Sequence, residues 1–549
     1  MKTLFKSNRS KFFLTTAFCI LFSSQSFSQE KPKDTTKVTT LDEVQVAAIR
    51  VNKKTPVPFT NVSKEQIAPR NLGQDIPVLL NYLPSVVTTT DAGNGVGYTY
   101  MRVRGADGSR INVTLNGVPF NDSESQGTFF VNLPDFASSL ESMQLQRGVG
   151  SSTNGAGAFG ASLNMQTKAY QEKGYAEIAN SGGSFGTRKH TLAFGTGLHD
   201  NFEINGRVSQ IASDGYIDRA ASSMFGYFFN ANYVTKTTQI KAIFFGGKEK
   251  TYQAWYGIED LDKLQNDRTF NPAGMYFDAD GTKKFYNNET DNYWQNHFQL
   301  HWSEKWSDKW TSNVALHYTL GKGYFEQYKE DQTLADYYLP DFQGNSTSDL
   351  IRKRWLNNDF FGATFNLNYK TAKTEVIFGG AANRYLGRHY GEVVWTQFYV
   401  PNSNRYYNNF GNKDDVNFYA KVTQTCGKIN VYADMQYRMV FYKANSIKFN
   451  DVDDTFRFFN PKVGANYQLN AKNAVYVYAG IANKEPRRDD YENGSVKPER
   501  LFDYELGWKY NAKKAMLNAN VFYMRYKNQL VMTGALNDVG SPVFTNSGN

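Results

Sequence analysis

The stretch "WQNHFQLHW" (Trp294–Trp302) alternates strictly, with Trp294, Phe298, Leu300 and Trp302 on one face and Gln295, His297, Gln299 and His301 on the other. Alternation at period two belongs to a strand with one apolar and one wet face. Asn296 is the single polar member of the apolar set. The pattern recurs in "YELGWKY" (Tyr504–Tyr510), where Tyr504, Leu506, Trp508 and Tyr510 oppose Glu505, Gly507 and Lys509, and in Phe202–Val208, where Phe202, Ile204 and Val208 oppose Glu203, Asn205 and Arg207. Aromatic residues close many of these runs, and segments of about ten residues suit a tilted strand crossing a bilayer. Turn lengths also alternate: "NAKK" (Asn511–Lys514) is short, whereas Lys248–Asn292, Lys322–Arg354 and Arg388–Asp415 read as long polar loops. Short turns on one side and long loops on the other are what a transmembrane β-barrel gives. A soluble sandwich would use shorter strands with fewer terminal aromatics.

Composition agrees with this pattern. Aromatic residues make up 15% of the chain, including 36 Tyr and 41 Phe, yet mean hydropathy is −0.57. Residues 1–28 join a basic start (Lys2, Lys6, Arg9, Lys11) to the apolar run Phe12–Phe22 and a polar end with Ser26 and Ser28, the plan of a secretory signal peptide. The apolar run is too short to span a bilayer, which takes about 20 residues. Removing this segment leaves +5 of the formal charge of +9, too little to imply nucleic acid as a partner. One cysteine, Cys426, then remains, so no internal disulfide is expected.

Residues 50–168 form a different region ahead of the alternating series, with an amphipathic helix expected over Gly73–Val86 and a glycine-rich β region after it. Within it stand "RVRGADGSRINVTLNGVPF" (Arg102–Phe120) and "ESMQLQRGVGSSTNGAGAFGASLNMQTK" (Glu141–Lys168). A phosphate-binding loop would need a Gly-Lys-Ser/Thr ending that the second segment lacks. Arg104-Gly105, Leu115-Asn116-Gly117-Val118, Glu141, Leu145, Arg147-Gly148, Gly155, Gly157, Gly160 and Asn164 match, in order, the plug of the TonB-dependent outer-membrane receptors. The chain resembles that family over nearly all of its length after residue 28, in its ferric-siderophore, Bacteroidetes-like form. Ser85 replaces the family's glycine after Pro84, and Val149 stands where proline is common.

The resemblance implies an all-β membrane protein with an antiparallel barrel over residues 169–549 and an N-terminal α+β plug in its lumen. Family barrels have 22 strands, of the plugged kind; about 14 to 16 membrane-length segments are countable here, so the barrel is expected to be incomplete. It implies localisation in the outer membrane of a Gram-negative bacterium after Sec-dependent export. The isolated strand "TLDEVQV" (Thr40–Val46), between the export signal and the plug, matches the TonB box. Asp42, Glu43, Val44, Gln45 and Val46 are then the segment that adds to a sheet edge of TonB in the periplasm. An ordinary first strand of the plug is the competing reading. Plug arginines of this family pair with barrel glutamates, and Glu505, on a lumen face by alternation, is the expected partner of Arg104 and Arg147.

Active import of a scarce small molecule is implied, a ferric siderophore foremost, with cobalamin, haem or a glycan as alternatives and a passive porin or adhesin barrel as the rival class. Tyr98, Tyr100, Glu124, Gln126 and Phe129 are candidate ligand contacts, because their segments are expected to face outward. No cofactor, resident metal or catalytic residue is expected. His297 and His301 lie about 13 Å apart on one strand, too far to share an ion, and read as lumen lining. "DADG" (Asp278–Gly281) lacks the glutamate that would complete a calcium loop.

Overall fold

A computed structural model describes residues 49–155, 157–258, 260–401, 404–494, 496–536 and 542–547. The export signal and Asp42–Val46 lie outside the described residues.

The first strands form the plug: β1 (Phe59–Ser63), β2 (Val86–Thr90), β3 (Thr99–Val103), β4 (Ile111–Leu115), β5 (Val118–Pro119), β6 (Leu140–Arg147) and β7 (Ala161–Thr167). Five of them make one sheet in the order β1-β6-β7-β4-β5, with β4 and β7 parallel, while β2 and β3 pair as a separate hairpin. Asn116 and Gly117 join β4 to β5 with φ of 54° and 84°. This is the two-residue turn that Asn-Gly favours. The plug core gathers Leu80, Leu115, Leu140, Met143, Leu145 and Leu163, all 0–1% exposed, and continues into Phe228, Ile243 and Phe245 of the surrounding wall.

That wall is a single antiparallel sheet of 15 strands. Its first strands are β8 (Tyr175–Gly182), β9 (Arg188–Gly195), β10 (Phe202–Ser213), β11 (Ser222–Val234) and β12 (Thr238–Tyr252). A small hairpin, β13 (Met275–Phe277) with β14 (Lys283–Phe285), stands apart in the next loop. The wall resumes with β15 (Thr290–Lys305), β16 (Trp310–Thr333), β17 (Thr347–Lys370), β18 (Thr374–Thr396), β19 (Asn404–Cys426) and β20 (Ile429–Ala444). It ends with β21 (Val452–Gln468), β22 (Asn473–Lys484), β23 (Glu499–Asn511) and β24 (Met516–Lys527), followed by the hairpin β25 (Leu530–Leu536) with β26 (Pro542–Asn546). Strand-rich architecture, plug and large barrel sheet all agree with the fold expected from the sequence.

The expected faces hold along these strands. Trp294, Phe298, Leu300 and Trp302 are exposed on the outer face, while His297 and His301 are buried inside. His297 stacks on Phe245 and lies against Phe120 of the plug. Asn296 keeps its place on the outer face but is covered, because the Tyr227 hydroxyl donates to its Oδ1. Tyr504, Leu506 and Trp508 likewise face out, and Glu505 and Lys509 face in.

Two expectations fail. The helix over Gly73–Val86 shrinks to the four residues Ile76–Leu79, and β2 already begins at Val86. Pro84 bars a longer helix, and Leu79, Leu80 and Leu83 reach the core through consecutive tight turns instead. The loops expected at Lys322–Arg354 and Arg388–Asp415 are mostly strand, since β16 to β19 run 23 or 24 residues each. A bilayer takes about 9–11 residues of a tilted strand, so these four rise well beyond the membrane. There a second apolar cluster of Leu334, Tyr337, Leu339, Leu350, Val393 and Tyr406 covers them. Short turns at one end mark the periplasmic side and long connections at the other the outer side. The tips of β2–β3 and of the segment 121–130 lie toward the outer side.

Candidate functional site: the plug-barrel contacts and the outer mouth

Arg104 is fully enclosed between plug and wall, in a left-handed turn with φ 52°. Its guanidinium donates to Glu505 Oε1 at 2.6 Å and Oε2 at 3.3 Å, and to Asn520 Oδ1 at 2.6 Å, with the Phe522 ring 3.9 Å from its centre. The side chains are 2% and 0% exposed. Gly148 permits this approach, because a Cβ there would collide with Asp503 Oδ2 and meet Glu505 Oε1 at 2.7 Å. Val149, where the resemblance led one to look for proline, donates its backbone N–H to Asp503 at 2.9 Å, a bond proline could not make. Ser85 has φ 65°, so it keeps the conformation a glycine would supply.

Among the described residues Arg147 makes no ion pair with a barrel carboxylate. Its guanidinium donates to the Pro84 carbonyl at 3.0 and 3.1 Å and to Thr60 Oγ1 at 3.0 Å. Arg104 and Asn520 already occupy both oxygens of Glu505. Burial, and next the neighbouring Arg104 charge, lower Arg147 to about 10.

The five candidate ligand contacts divide between two plug tips. At the tip of β2–β3, Tyr98 donates its hydroxyl to Asp291 and packs edge-on against Phe129 and Trp255, with ring centres at 6.4 and 5.7 Å. Trp255 in turn meets Phe325, beside which stands the guanidinium of Arg354, hydrogen-bonded to the Tyr407 hydroxyl. These residues form an aromatic rim with an arginine at its edge. Phe129 is 39% exposed and Tyr100 38%, with the Tyr100 hydroxyl donating to Asp91 at 3.0 Å. Burial pushes Asp91 up to about 7, the Tyr100 bond opposing it.

Glu124 and Gln126 lie elsewhere, in the turn Asn121–Gly127, and both are buried. Glu124 meets His389 Nε2 at 2.6 Å, the Tyr442 hydroxyl at 2.8 Å and Arg488 at 3.2 Å. Burial alone would raise its carboxyl; His389 first, then Arg488 and Tyr442, overcome that and hold it at about 2. Gln126, at φ 60°, donates to Glu485, and Lys413 donates to the Ser123 carbonyl at 2.8 Å. The turn is thus bolted to β18, β19, β20 and the segment after β22. Beneath it lies a cavity of about 90 Å³ bordered by Asp122, Asn383, Lys413, Arg438 and Lys484.

A third attachment escaped the sequence. Asp135, at φ 52°, receives Lys189 Nζ at 2.8 Å, Thr191 Oγ1 at 2.7 Å, Ser209 Oγ at 2.6 Å and Arg207 at 3.2 Å. Burial opposes its ionisation, but Arg207 and then Lys189 hold its carboxyl below the usual range. The inward positions of Lys189 and Arg207 on alternating strands were the signal available. Among the described residues no group of three or more His, Cys, Asp or Glu side chains is placed to hold a metal.

The model of the TonB-dependent receptor plug domain matches residues 51–162, and that of the TonB-dependent receptor-like β-barrel matches residues 245–549. No relative among curated proteins matches the sequence significantly. Among solved structures, the open form of the ferric-catecholate import receptor Fiu from E. coli K12 superposes with TM-score 0.63 at 16% identity, over 86% of this chain and 75% of that one. The copper transporter OprC gives 0.71 at 12% identity, over 90% and 76%. The ferric yersiniabactin uptake receptor FyuA from Yersinia pestis gives 0.62 at 14%, over 91% and 76%. With a plug sheet bolted inside a strand wall at Glu505, Glu124 and Asp135, and with family models matching both parts, the chain belongs to the TonB-dependent receptors, outer-membrane β-barrel transporters and not enzymes.

Proposed function

We propose that this receptor imports a ferric siderophore, taken up at the outer mouth and drawn inward by TonB acting on Asp42–Val46. The observation that carries the reading is the aromatic rim of Tyr98, Phe129, Trp255 and Phe325 with Arg354 at its edge. Flat aromatic faces and a guanidinium suit a bulky chelate with unsaturated or anionic oxygen ligands. Fiu and FyuA, by their descriptions, take ferric chelates. A passive porin would leave its lumen open, whereas here the plug core packs directly onto the wall at Phe228 and Phe245.

The test is binding and uptake of radiolabelled ferric siderophores, catecholate and hydroxamate, by iron-starved cells carrying the receptor. Trp255→Ala should lose surface binding at least tenfold. Val44→Pro should keep binding and lose uptake, because proline removes a main-chain donor from an added strand. Uptake unaltered in Val44→Pro sinks the coupling role. Failure of every ferric chelate to bind sinks the cargo assignment.

A further inference from the structure

Glu249 is an anomaly in the wall. It points inward from β12, is 1% exposed, and neither carboxylate oxygen has a hydrogen-bond partner among the described residues. Its flanking lysines, Lys248 and Lys250, are exposed on the other face, so this end of β12 stands outside the apolar belt. Apolar, hydroxyl and acidic groups surround Glu249. Met224 faces it from β11 and Tyr293 from β15, while Asp291 on β15 is its diagonal neighbour. Tyr98 covers it from the plug, in a cluster with Val96, Val131 and Met224. The Thr251 hydroxyl stands beside it and opposes the effect of burial without overcoming it. Among the described residues no ion pair reaches Glu249, and Asp291 receives the Tyr98 hydroxyl. An isolated buried carboxylate is far too costly to leave ionised, and it takes up a proton instead. Burial first, and then Asp291, push Glu249 well above the usual carboxylate range.

We propose that Glu249 is a proton-held seat for the ligand-facing tip of the plug, Asp91–Tyr98. With Glu249 neutral, Val96 and Tyr98 pack over it. Its ionisation next to Asp291 places two negative charges under an apolar lid, and the tip lifts to let water in. The seat therefore holds at low pH and loosens as pH rises through the titration of Glu249. This applies whatever the cargo, because it concerns the unliganded tip.

Hydrogen–deuterium exchange of the amides of Ala92–Thr99, normalised for intrinsic rates, tests it on the purified full chain. Protection should fall by up to tenfold for each pH unit as pH rises from the ordinary carboxyl range toward the raised value of the seated group, and level off above it. Glu249→Gln, neutral at every pH, should keep the tip protected at pH values where the wild type has loosened. Asp291→Asn removes the like charge and should move the midpoint to lower pH, a readout that remains if Glu249→Gln misfolds. A wild-type profile in Glu249→Gln, or an unmoved midpoint in Asp291→Asn, overturns the proposal. So does protection that depends on added Na⁺ or Ca²⁺ at fixed pH, which would make the occupant a metal cation.

Discussion

Glu124→Gln tests how the second plug tip is fastened. In the folded chain this carboxylate sits at about 2 against an ordinary value of 4.5. A difference of that size corresponds to roughly 3 kcal/mol of preference for the ionised, seated form. Because the folded value is depressed, the stabilisation is fully present above pH 4.5 and is lost as pH falls through 4.5 toward 2. Gln keeps the volume and one acceptor but removes the charge that faces His389 and Arg488, leaving a buried guanidinium underpaired. Exchange of the Asp122–Gly127 amides at pH 7 should therefore accelerate about 100-fold in Glu124→Gln, the rate equivalent of roughly 3 kcal/mol. In the wild type the same amides should lose protection between pH 4.5 and 2, and in the variant they should show no such step. Equal protection in both proteins at pH 7 would refute the bolt, and so would a wild-type step above pH 6.

Two further outcomes follow from the contacts. Removing either partner of the Arg104–Glu505 pair, as Arg104→Ala or Glu505→Ala, should loosen the plug by about 3–5 kcal/mol, as expected for a broken buried pair. The double variant should cost much less than the sum, and additive effects in a denaturation cycle would contradict the pairing. The outer edges of β8 and β24 are unpaired among the described residues, and lipid does not tolerate unpaired edges. Both edges should therefore be covered in the membrane-embedded protein, and free-chain exchange rates at the amides of Tyr175–Gly182 and Met516–Lys527 would sink that expectation.

What could be read from the sequence was whatever follows from period and from local turn chemistry. Alternation placed Glu505 on the lumen face, and the family pattern paired it with Arg104. The tops of β16 to β19 were misread as loops because, beyond the membrane, neither face needs to be apolar: Glu326, Tyr328, Lys353 and Trp355 carry no hydropathy signal. The helix over Gly73–Val86 was overextended because Leu79, Leu80 and Leu83 have helical spacing, while the local turns that bury them do not appear in spacing. Arg147 was assigned a carboxylate by family pattern. Its actual partner is the Pro84 carbonyl, a backbone group that no side-chain pattern reveals. Asp135 and Glu249 depend on which strands face which part of the plug, information that exists only once the sheet is wrapped around it.

Glu124 and Glu249 are both buried where plug meets wall, yet their surroundings drive them apart. Glu124 has three partners, two of them basic side chains, and is stabilised as an anion; Glu249 has no basic partner among the described residues and an acid beside it. Pairs of carboxylates separated in this way respond to opposite ends of the pH scale. Acid should release the turn Asn121–Gly127 while Asp91–Tyr98 stays seated, and alkali should do the reverse. If one global loosening of the plug governed both tips, their exchange would rise together at the same pH. Opposed profiles in a single titration would instead show two independent fastenings, so that a ligand touching only the Tyr98 rim could lift one tip while Glu124 keeps the other bolted.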